Sequence, residues 1–540
     1  MTMSIKQSLK KPIAAQLSSM FPYKDSDYSK KIETEKFTQQ RKKLSAKKLK
    51  KRDPTTDEKN LNLLKNPSQI EVNSLLENYQ NKRFDLVENM AKQLIQKYPD
   101  HQLSWIVLGF VFKQTERYQE SLVTDQKWAS LSPSNAEVHS NLGDTLKKLG
   151  RLIEAVASYE KAIAVKPDYA EVYFKIGNTL KELGQLEDAA INYKKSIEID
   201  SSFAESYNNL GITLAELGKL IDSVASYEKA IAIKPDYAEA HNNLGVSLRK
   251  LGKQKEAESC YRKSILIKPN YAQAYLNLGN TLEELGSLED ALENYKIAIA
   301  IEPGFEEKCE HLIATLNGNN PLRANDAYVA ELFDGYAKDF DSSLVGKLNY
   351  KTPTIIADYL KSLISSKNIK LDVLDLGCGT GLAGEALIDL AKNLVGIDLS
   401  KEMLKLASAK NIYDRLIQSE IHHALSNEQD ESFDVVISSD VFVYIGDLKE
   451  IFDSVYTILR VGGFFAYSVE ALNSIDNIEK IFSSTDYQLN RNGRYSHSSN
   501  YLMNLIDPRQ FTLHKIKLEQ IRLEKGLPVM GYVVVMQKSS

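Results

Sequence analysis

A 34-residue period runs through the middle of this chain and leaves few folds open to it. Copies begin at Ala136, Ala170, Ala204, Ala238 and Ala272. Each holds one glycine at Gly143, Gly177, Gly211, Gly245 and Gly279, and a second at Gly150, Gly184, Gly218, Gly252 and Gly286. Tyrosine recurs at Tyr159, Tyr193, Tyr227, Tyr261 and Tyr295, and a small residue three positions later. Pro167, Pro235, Pro269 and Pro303 close four of the copies, with Ser201 in the remaining one. The period predicts stacked helical hairpins. The first glycine lets two helices approach, the second makes the turn between them, and the tyrosine fills the gap to the neighbouring hairpin. Such units bury a core only by stacking, so the copies form one continuous superhelical surface.

This pattern resembles the tetratricopeptide repeat. Copies starting near Ser68 and Gln102 are degenerate: Trp105, Gly109 and Pro133 fit, while Asp125 and Trp128 replace the tyrosine and the small residue. They read as a capping end, and residues 306–316 as a closing helix, so the all-α array covers 67–316. One position of each first helix carries Asn141, Lys175, Asn209, Asn243 and Asn277. Residues one period apart stack on the same groove wall, and an amide both donates and accepts, as a peptide backbone requires. A similar asparagine ladder lines the repeat superhelix of protein O-GlcNAc transferases, which these repeats resemble. The resemblance implies a protein or peptide partner in the groove. The alternative is that asparagine is simply common at this solvent-facing position.

A second pattern follows. Leu371, Val373, Leu374 and Leu376 form a short apolar run cut off by Gly377-Cys378-Gly379-Thr380-Gly381, and Leu382–Leu390 reads as a helix. A buried parallel strand, a glycine turn and a helix N-terminus make a nucleotide cradle. A second strand, Val395–Ser400, ends in Asp398, placed to accept hydrogen bonds from ribose hydroxyls. Asp375 precedes the first glycine.

With acids at both positions, the segment resembles the class I S-adenosylmethionine-dependent methyltransferases over roughly residues 327–540. The resemblance implies an α/β Rossmann-like domain with a seven-stranded, mostly parallel sheet. It also implies S-adenosyl-L-methionine held by Asp375, Gly377, Cys378, Gly379, Thr380, Gly381 and Asp398. Leu399 and Met403 are placed for apolar contact with adenosine, and Glu420-Ile421 lies where related enzymes put an acid and an apolar residue near the adenine. A fourth strand, Phe433–Ser439, runs into Asp440-Val441, with Tyr444 beyond. Its carboxyl end is the topological switch point where substrate meets cofactor, so Asp440 and Val441 are expected to touch the cofactor and, with Tyr444, to face the reaction unless Tyr444 is a buried structural residue.

Two further residue groups bear on the acceptor. Phe333, Tyr336 and Phe340 fall at helical spacing, as core packing or as a lid that excludes water from methyl transfer. A hairpin around Asn492-Gly493 places Arg494, Tyr495 and His497 to bind a polar or anionic group, with His497 either a base or a structural residue. Strands near 510–518 and 530–537 complete the sheet with an antiparallel edge. Asn317–Pro321 reads as a linker covering 317–326. Tandem repeats followed by Phe-Asp-Gly-Tyr-Ala (333–337) and Asp-Val-Phe-Val-Tyr (440–444) resemble a bacterial family of repeat-containing methyltransferases. That likeness implies fold and cofactor but no acceptor.

Charge adds a third region. Residues 1–60 hold 16 Lys and Arg against 7 Asp and Glu, a balance of +9, within a 540-residue chain of net charge −4. Eight cations crowd Arg41–Arg52, so the leader, 1–66, is expected to be disordered and able to touch anionic surfaces. No base-reading module supports specific nucleic-acid binding. Three scattered cysteines, no metal-ligand cluster and no run of 18 apolar residues suggest a cytoplasmic protein without a metal or a transmembrane segment. Three functions stay open: a methyltransferase acting on a protein or peptide recruited by the repeats, a small-molecule or glycan methyltransferase whose repeats assemble a complex, and a non-catalytic scaffold.

Overall fold

The computed structural model describes residues 66–337, 340–364, 370–472, 485–524 and 526–540. The basic leader up to residue 65 lies outside them. The chain divides into two compact units, Met1–Pro235 and Asp236–Ser540.

The described part of the first unit is five helical hairpins, from Gln69–Gln80 with Phe84–Lys97 to Ala204–Glu216 with Leu220–Ile233. Ser68 caps the first helix in a reciprocal capping box with Glu71. In the regular copies a Cβ built on Gly143, Gly177 or Gly211 would fall 2.4, 2.7 and 2.7 Å from the ring of Tyr159, Tyr193 or Tyr227. Each ring therefore seals its own hairpin, where the sequence pattern pointed to the neighbouring one. In the degenerate copy Asp125 stands in place of the ring. It is buried, receives Thr145 Oγ1 at 2.6 Å and pairs with Lys113 at 2.9 Å. A polar triad replaces the aromatic filler there.

The second unit starts with two more hairpins, Ala238–Lys250 with Gln254–Ile267 and Ala272–Glu284 with Leu288–Ile301, and the closing helix Glu306–Asn317. An α/β body follows. Its strands are β1 (Leu371–Leu376), β2 (Ala391–Asp398), β3 (Arg415–Gln418), β4 (Phe433–Ser438), β5 (Leu459–Ala471), β6 (Tyr487–Leu489), β7 (Tyr495–His497), β8 (Phe511–Glu524) and β9 (Leu527–Lys538). Strands β3, β2, β1, β4 and β5 lie in that order and run parallel, and β9 and β8 continue the sheet antiparallel. These are the seven strands expected. The β6–β7 hairpin adds two more through Glu470 and Ala471 at the end of β5, so the sheet has nine strands. Gly462 sits inside β5, where its φ of +80° lets the strand kink and continue. Apolar layers bury both faces of the sheet: Phe442, Phe452, Phe465 and Tyr467 on one, Ile356, Leu360, Val435 and Ala466 on the other.

The segment expected as a linker is hydrogen-bonded to the α/β body along its length. Asn320 Nδ2 donates to the Tyr487 carbonyl and Asn320 Oδ1 accepts from Leu489 N, both at 2.7 Å. Ala324 N donates to the Tyr444 carbonyl and Gly446 N to the Leu322 carbonyl, each at 2.8 Å. Backbone pairing thus fixes residues 322–324 against the loop that follows β4. No helix among the described residues is long and apolar enough to cross a membrane.

Candidate active site

The carboxyl ends of β1, β2, β3 and β4 open into a cavity of about 360 Å³. At its base Gly377, Gly379 and Gly381 hold φ values of +67°, +53° and +92°. Gly377 is forced twice, since a Cβ there would also sit 2.3 Å from Val441 in the loop after β4. The Asp398 carboxylate braces this turn: Oδ2 accepts from Gly379 N and Oδ1 from Ser400 N, both at 2.8 Å. Burial raises its carboxyl above the ordinary value, against those two bonds.

Of the residues singled out from the sequence, Gly377, Gly379, Asp398, Leu399, Glu420, Ile421, Asp440, Val441, Tyr444, Tyr336, Phe340 and Arg494 line the cavity. Others lie behind it. Asp375 is fully buried, accepts from Tyr413 OH at 2.7 Å through Oδ2, and leaves Oδ1 without a partner. Burial pushes its carboxyl up to about 7. Cys378 and Met403 are buried, Gly381 backs onto the Tyr413 ring, and Thr380 donates to Asp341. Tyr495 and His497 share one face of β7 and turn from the cavity to hold backbone. Tyr495 OH donates to the Pro321 carbonyl at 2.9 Å, and His497 Nε2 to the Gly446 carbonyl at 3.0 Å. Burial lowers His497 to about 4. A neutral, enclosed imidazole bonded to a carbonyl holds the loop after β4; it is not placed as a base in the cavity.

The roof is helix Asp326–Tyr336 together with Phe340, Leu344, Leu348 and Tyr350. No residue of that helix is buried, and Leu332 is 42% exposed, so the aromatic stripe is a cover and not a core layer. Phe333 meets Tyr444 edge-on at 5.5 Å and Phe340 at 6.1 Å. Two aspartates fasten the roof to the loops below. Asp334 Oδ1 accepts from Ser400 Oγ at 2.6 Å and from Glu402 N at 3.2 Å, and Asp341 accepts from Thr380.

Sequence reading missed the charged end of the cavity. Arg522, on β8 and 3% exposed, reaches both Asp440 oxygens at 2.8 and 2.6 Å and pairs with the buried Glu470. Arg494 pairs with Glu524 at 2.7 Å. Asp440 itself has a φ of +61°, rare for a residue with a side chain. Glu420 caps helix Ile421–Leu425 through His422 N and His423 N and pairs with Arg323 at 2.7 Å. Ser439, also in the wall, has a buried hydroxyl without a partner.

On the repeats, three of the five predicted groove side chains bond to neighbouring elements. Asn209 Nδ2 donates to Asn178 Oδ1 at 2.8 Å, and Lys175 pairs with Asp144 at 3.0 Å, an acid where the next copy has Asn178. In the second unit Asn277 is 8% exposed and donates to Asn242 Oδ1 at 2.9 Å. Asn141 and Asn243 are partly exposed.

Family models match this arrangement in both parts. Residues 374–494 match a methyltransferase domain, and residues 143–184, 177–218 and 213–252 match a TPR repeat, with further tetratricopeptide-repeat matches at 238–271 and 260–293. The chain carries tetratricopeptide repeats and a methyltransferase domain. The ubiquinone biosynthesis O-methyltransferase of Rattus norvegicus is 32% identical over 99 residues, 17% of this chain and 29% of that protein. The malonyl-[acyl-carrier protein] O-methyltransferase of Yersinia pestis is 26% identical over 168 residues, 31% of this chain and 60% of that protein. The chain therefore spans less than two thirds of either relative. The crystal structure of MamA matches 30% of this chain and 95% of its own at 29% identity, with a TM-score of 0.29.

Proposed function

We propose that the protein is an S-adenosylmethionine-dependent methyltransferase whose repeats recruit a protein or peptide carrying the acceptor. The observation that carries the proposal is the Asp398 carboxylate, which braces the glycine turn from the floor of a covered cavity. The residues fit the cofactor. The Gly379 backbone is open, since a Cβ there would meet nothing nearer than Phe340 at 3.7 Å. A buried carboxylate stands at the end of β2, apolar Leu399, Ile421 and Val441 stand beside it, and the Ser439 hydroxyl lacks a partner.

When bound, S-adenosylmethionine supplies a methyl group on a sulfonium, transferred by in-line displacement. The protein's work is then positioning and exclusion of water. Gly377, Gly379, Asp398, Leu399, Glu420, Ile421 and Val441 hold the cofactor. Phe333, Tyr336 and Phe340 close over it. Asp440, Tyr444 and Arg494 orient the acceptor at the far end, with Asp440 fixed by Arg522.

Calorimetric titration of S-adenosylmethionine and its demethylated product tests this, with Asp398→Ala and Asp398→Asn alongside. Micromolar binding by the parent is the expected result, lost in both variants while circular dichroism shows the fold retained, with a lowered melting temperature because Asp398 also braces the glycine turn. No binding by the parent protein would overturn the enzyme reading.

A second reading has a specific support. Both relatives are named for O-methylation of a small or carrier-bound acceptor, so the repeats would assemble a complex rather than deliver the substrate. Replacing Asn141 and Asn209 with alanine separates the two. Loss of methylation of a protein acceptor with unchanged cofactor affinity supports delivery, and unchanged methylation supports assembly.

A further inference from the structure

Large aliphatic side chains stand in solvent along one face of the first unit. Val123, Ile153, Ile191 and Ile221 are 59, 75, 50 and 76% exposed, and each sits on the second helix of a different hairpin. They occupy two helix positions one turn apart. Ile153 and Ile221 share the earlier position and Val123 and Ile191 the later, so the stripe zigzags through four consecutive hairpins. Exposed Ala157 and Ala225 take the later position beside the two earlier isoleucines. The period supplies its own control. In the second unit the same two positions hold Lys255 and Ser259 in one hairpin and Glu289 and Glu293 in the next, all exposed. The fold therefore does not require an aliphatic there, and a run of exposed aliphatics marks a surface that another surface covers.

The charges on this face point to the occupant. One residue after the earlier position, the four helices carry an acid at Glu120, Glu154, Asp188 and Asp222. Two turns further along the same face they carry a lysine at Lys127, Lys161, Lys195 and Lys229. A partner of one charge sign would be repelled by one row as much as it is drawn by the other. A second copy of the face, turned so that its helices run antiparallel to these, brings the acid row of each copy to the lysine row of the other. The same turn sets Ile153 over Ala157 of the second copy and Ile221 over Ala225, and the two-fold axis makes each contact twice. Each large side chain then meets a small one. The area suffices as well. Four helices of 14 residues, each about 21 Å long and 10 Å across, present about 800 Å², as much as one partner of a stable dimer buries.

We propose that this face joins two copies of the chain about a two-fold axis, with the second helices of their hairpins packed antiparallel. The interface is independent of the methyltransferase reading and belongs to the repeats alone.

Sedimentation equilibrium of the full chain tests the proposal. At micromolar concentration the parent is expected at twice its mass of 60.8 kDa. The variant I153E/I221E puts four carboxylates into each interface and should raise the dissociation constant about a hundredfold or more. The variant I70E/L527E changes two aliphatics that are exposed away from the stripe and should leave the constant within about twofold. Charge reversal tests the antiparallel arrangement. D188K/D222K and K195E/K229E should each weaken the dimer, because like rows then face each other, and an equal mixture of the two should restore it. All these positions lie outside the core, and far-ultraviolet circular dichroism equal to the parent's shows that loss of the dimer is not unfolding. A monomeric parent, a dimer that survives I153E/I221E, loss of the dimer in I70E/L527E, or no recovery in the mixture would each overturn the proposal.

Discussion

Arg522 grips both carboxylate oxygens of Asp440, at 2.8 and 2.6 Å, across 82 residues of sequence, and Asp440 accepts a φ of +61° in that grip. A side chain in the left-handed region costs about 1–2 kcal/mol, so the surrounding structure must hold it there. Arg522 and the bond from Asp440 N to Ser468 Oγ do so. Replacing Arg522 with methionine leaves Asp440 without its ion pair in a buried site, and Glu470 with Arg494 alone at 3.7 Å, and should cost about 3–5 kcal/mol in urea unfolding. Arg522→Lys keeps the charge but cannot span both oxygens, so turnover should fall at least tenfold while cofactor affinity stays within twofold. Equal losses in turnover and cofactor affinity would assign Arg522 to general scaffolding instead.

The roof depends on Asp334. Its Oδ1 receives Ser400 Oγ and Glu402 N beside the strand end that carries Asp398. Losing hydrogen bonds to a charged acceptor costs about 1.5–3 kcal/mol, so Asp334→Ala should weaken S-adenosylmethionine binding about tenfold or more. Asp334→Asn keeps an acceptor oxygen and should recover most of that loss. Stopped-flow measurement of cofactor release locates the effect: a loosened roof speeds dissociation and leaves association nearly unchanged.

The repeats and the strand–turn–helix around Gly377 were legible because each is local. A 34-residue period and an apolar run ending in glycines state their structure within a few dozen residues. Asp398 was legible as well, one strand further on, although its two hydrogen bonds to Gly379 N and Ser400 N were not. The charged end of the cavity was not legible. Arg522 reaches Asp440 only after the sheet has brought β8 around to β5, and nothing in the local pattern distinguishes it from a solvated arginine. His497 was open between a base and a structural residue for a different reason. It looked chemical as a lone histidine after a turn, but strand alternation sends it with Tyr495 to the backbone of residues 321 and 446. The turn residues of 317–321 read as a linker, although Asn317 ends the closing helix, and the pairing of Asn320 with β6 and of Leu322 and Ala324 with the loop after β4 depends on partners more than a hundred residues distant.

The two glycines of a repeat should fail for different reasons. In Gly211→Ala the new Cβ meets the Tyr227 ring at 2.7 Å, an overpacking penalty of about 1–3 kcal/mol. In Gly218→Ala no atom lies within 4 Å, but φ is +74°, and the cost of about 1–2 kcal/mol is purely one of backbone conformation. Adding Tyr227→Phe separates them further. It removes the hydroxyl but not the ring, so it should leave the Gly211→Ala penalty in place. Substituting leucine for Tyr227 should relieve part of it. Urea midpoints followed by far-ultraviolet circular dichroism read all four.

His497 makes a pH prediction whose sign follows from its environment. Burial lowers its pKa to about 4 in the folded protein, against about 6.5 when unfolded. Between those values the unfolded state binds the proton and the folded state does not, so stability falls as pH drops from about 6.5 towards 4 and is flat for this group above 7. From pH 7.5 to pH 5 its share of the loss is about 2 kcal/mol. His497→Gln keeps a side-chain N–H within reach of the Gly446 carbonyl and does not titrate. It should lower stability slightly at pH 7.5, where the enclosed ring is lost, and should flatten the decline towards pH 5 relative to the parent. A variant whose decline matches the parent's would mean that His497 takes up its proton as readily in the folded chain as in the unfolded one, and that its ring is not enclosed against the loop after β4.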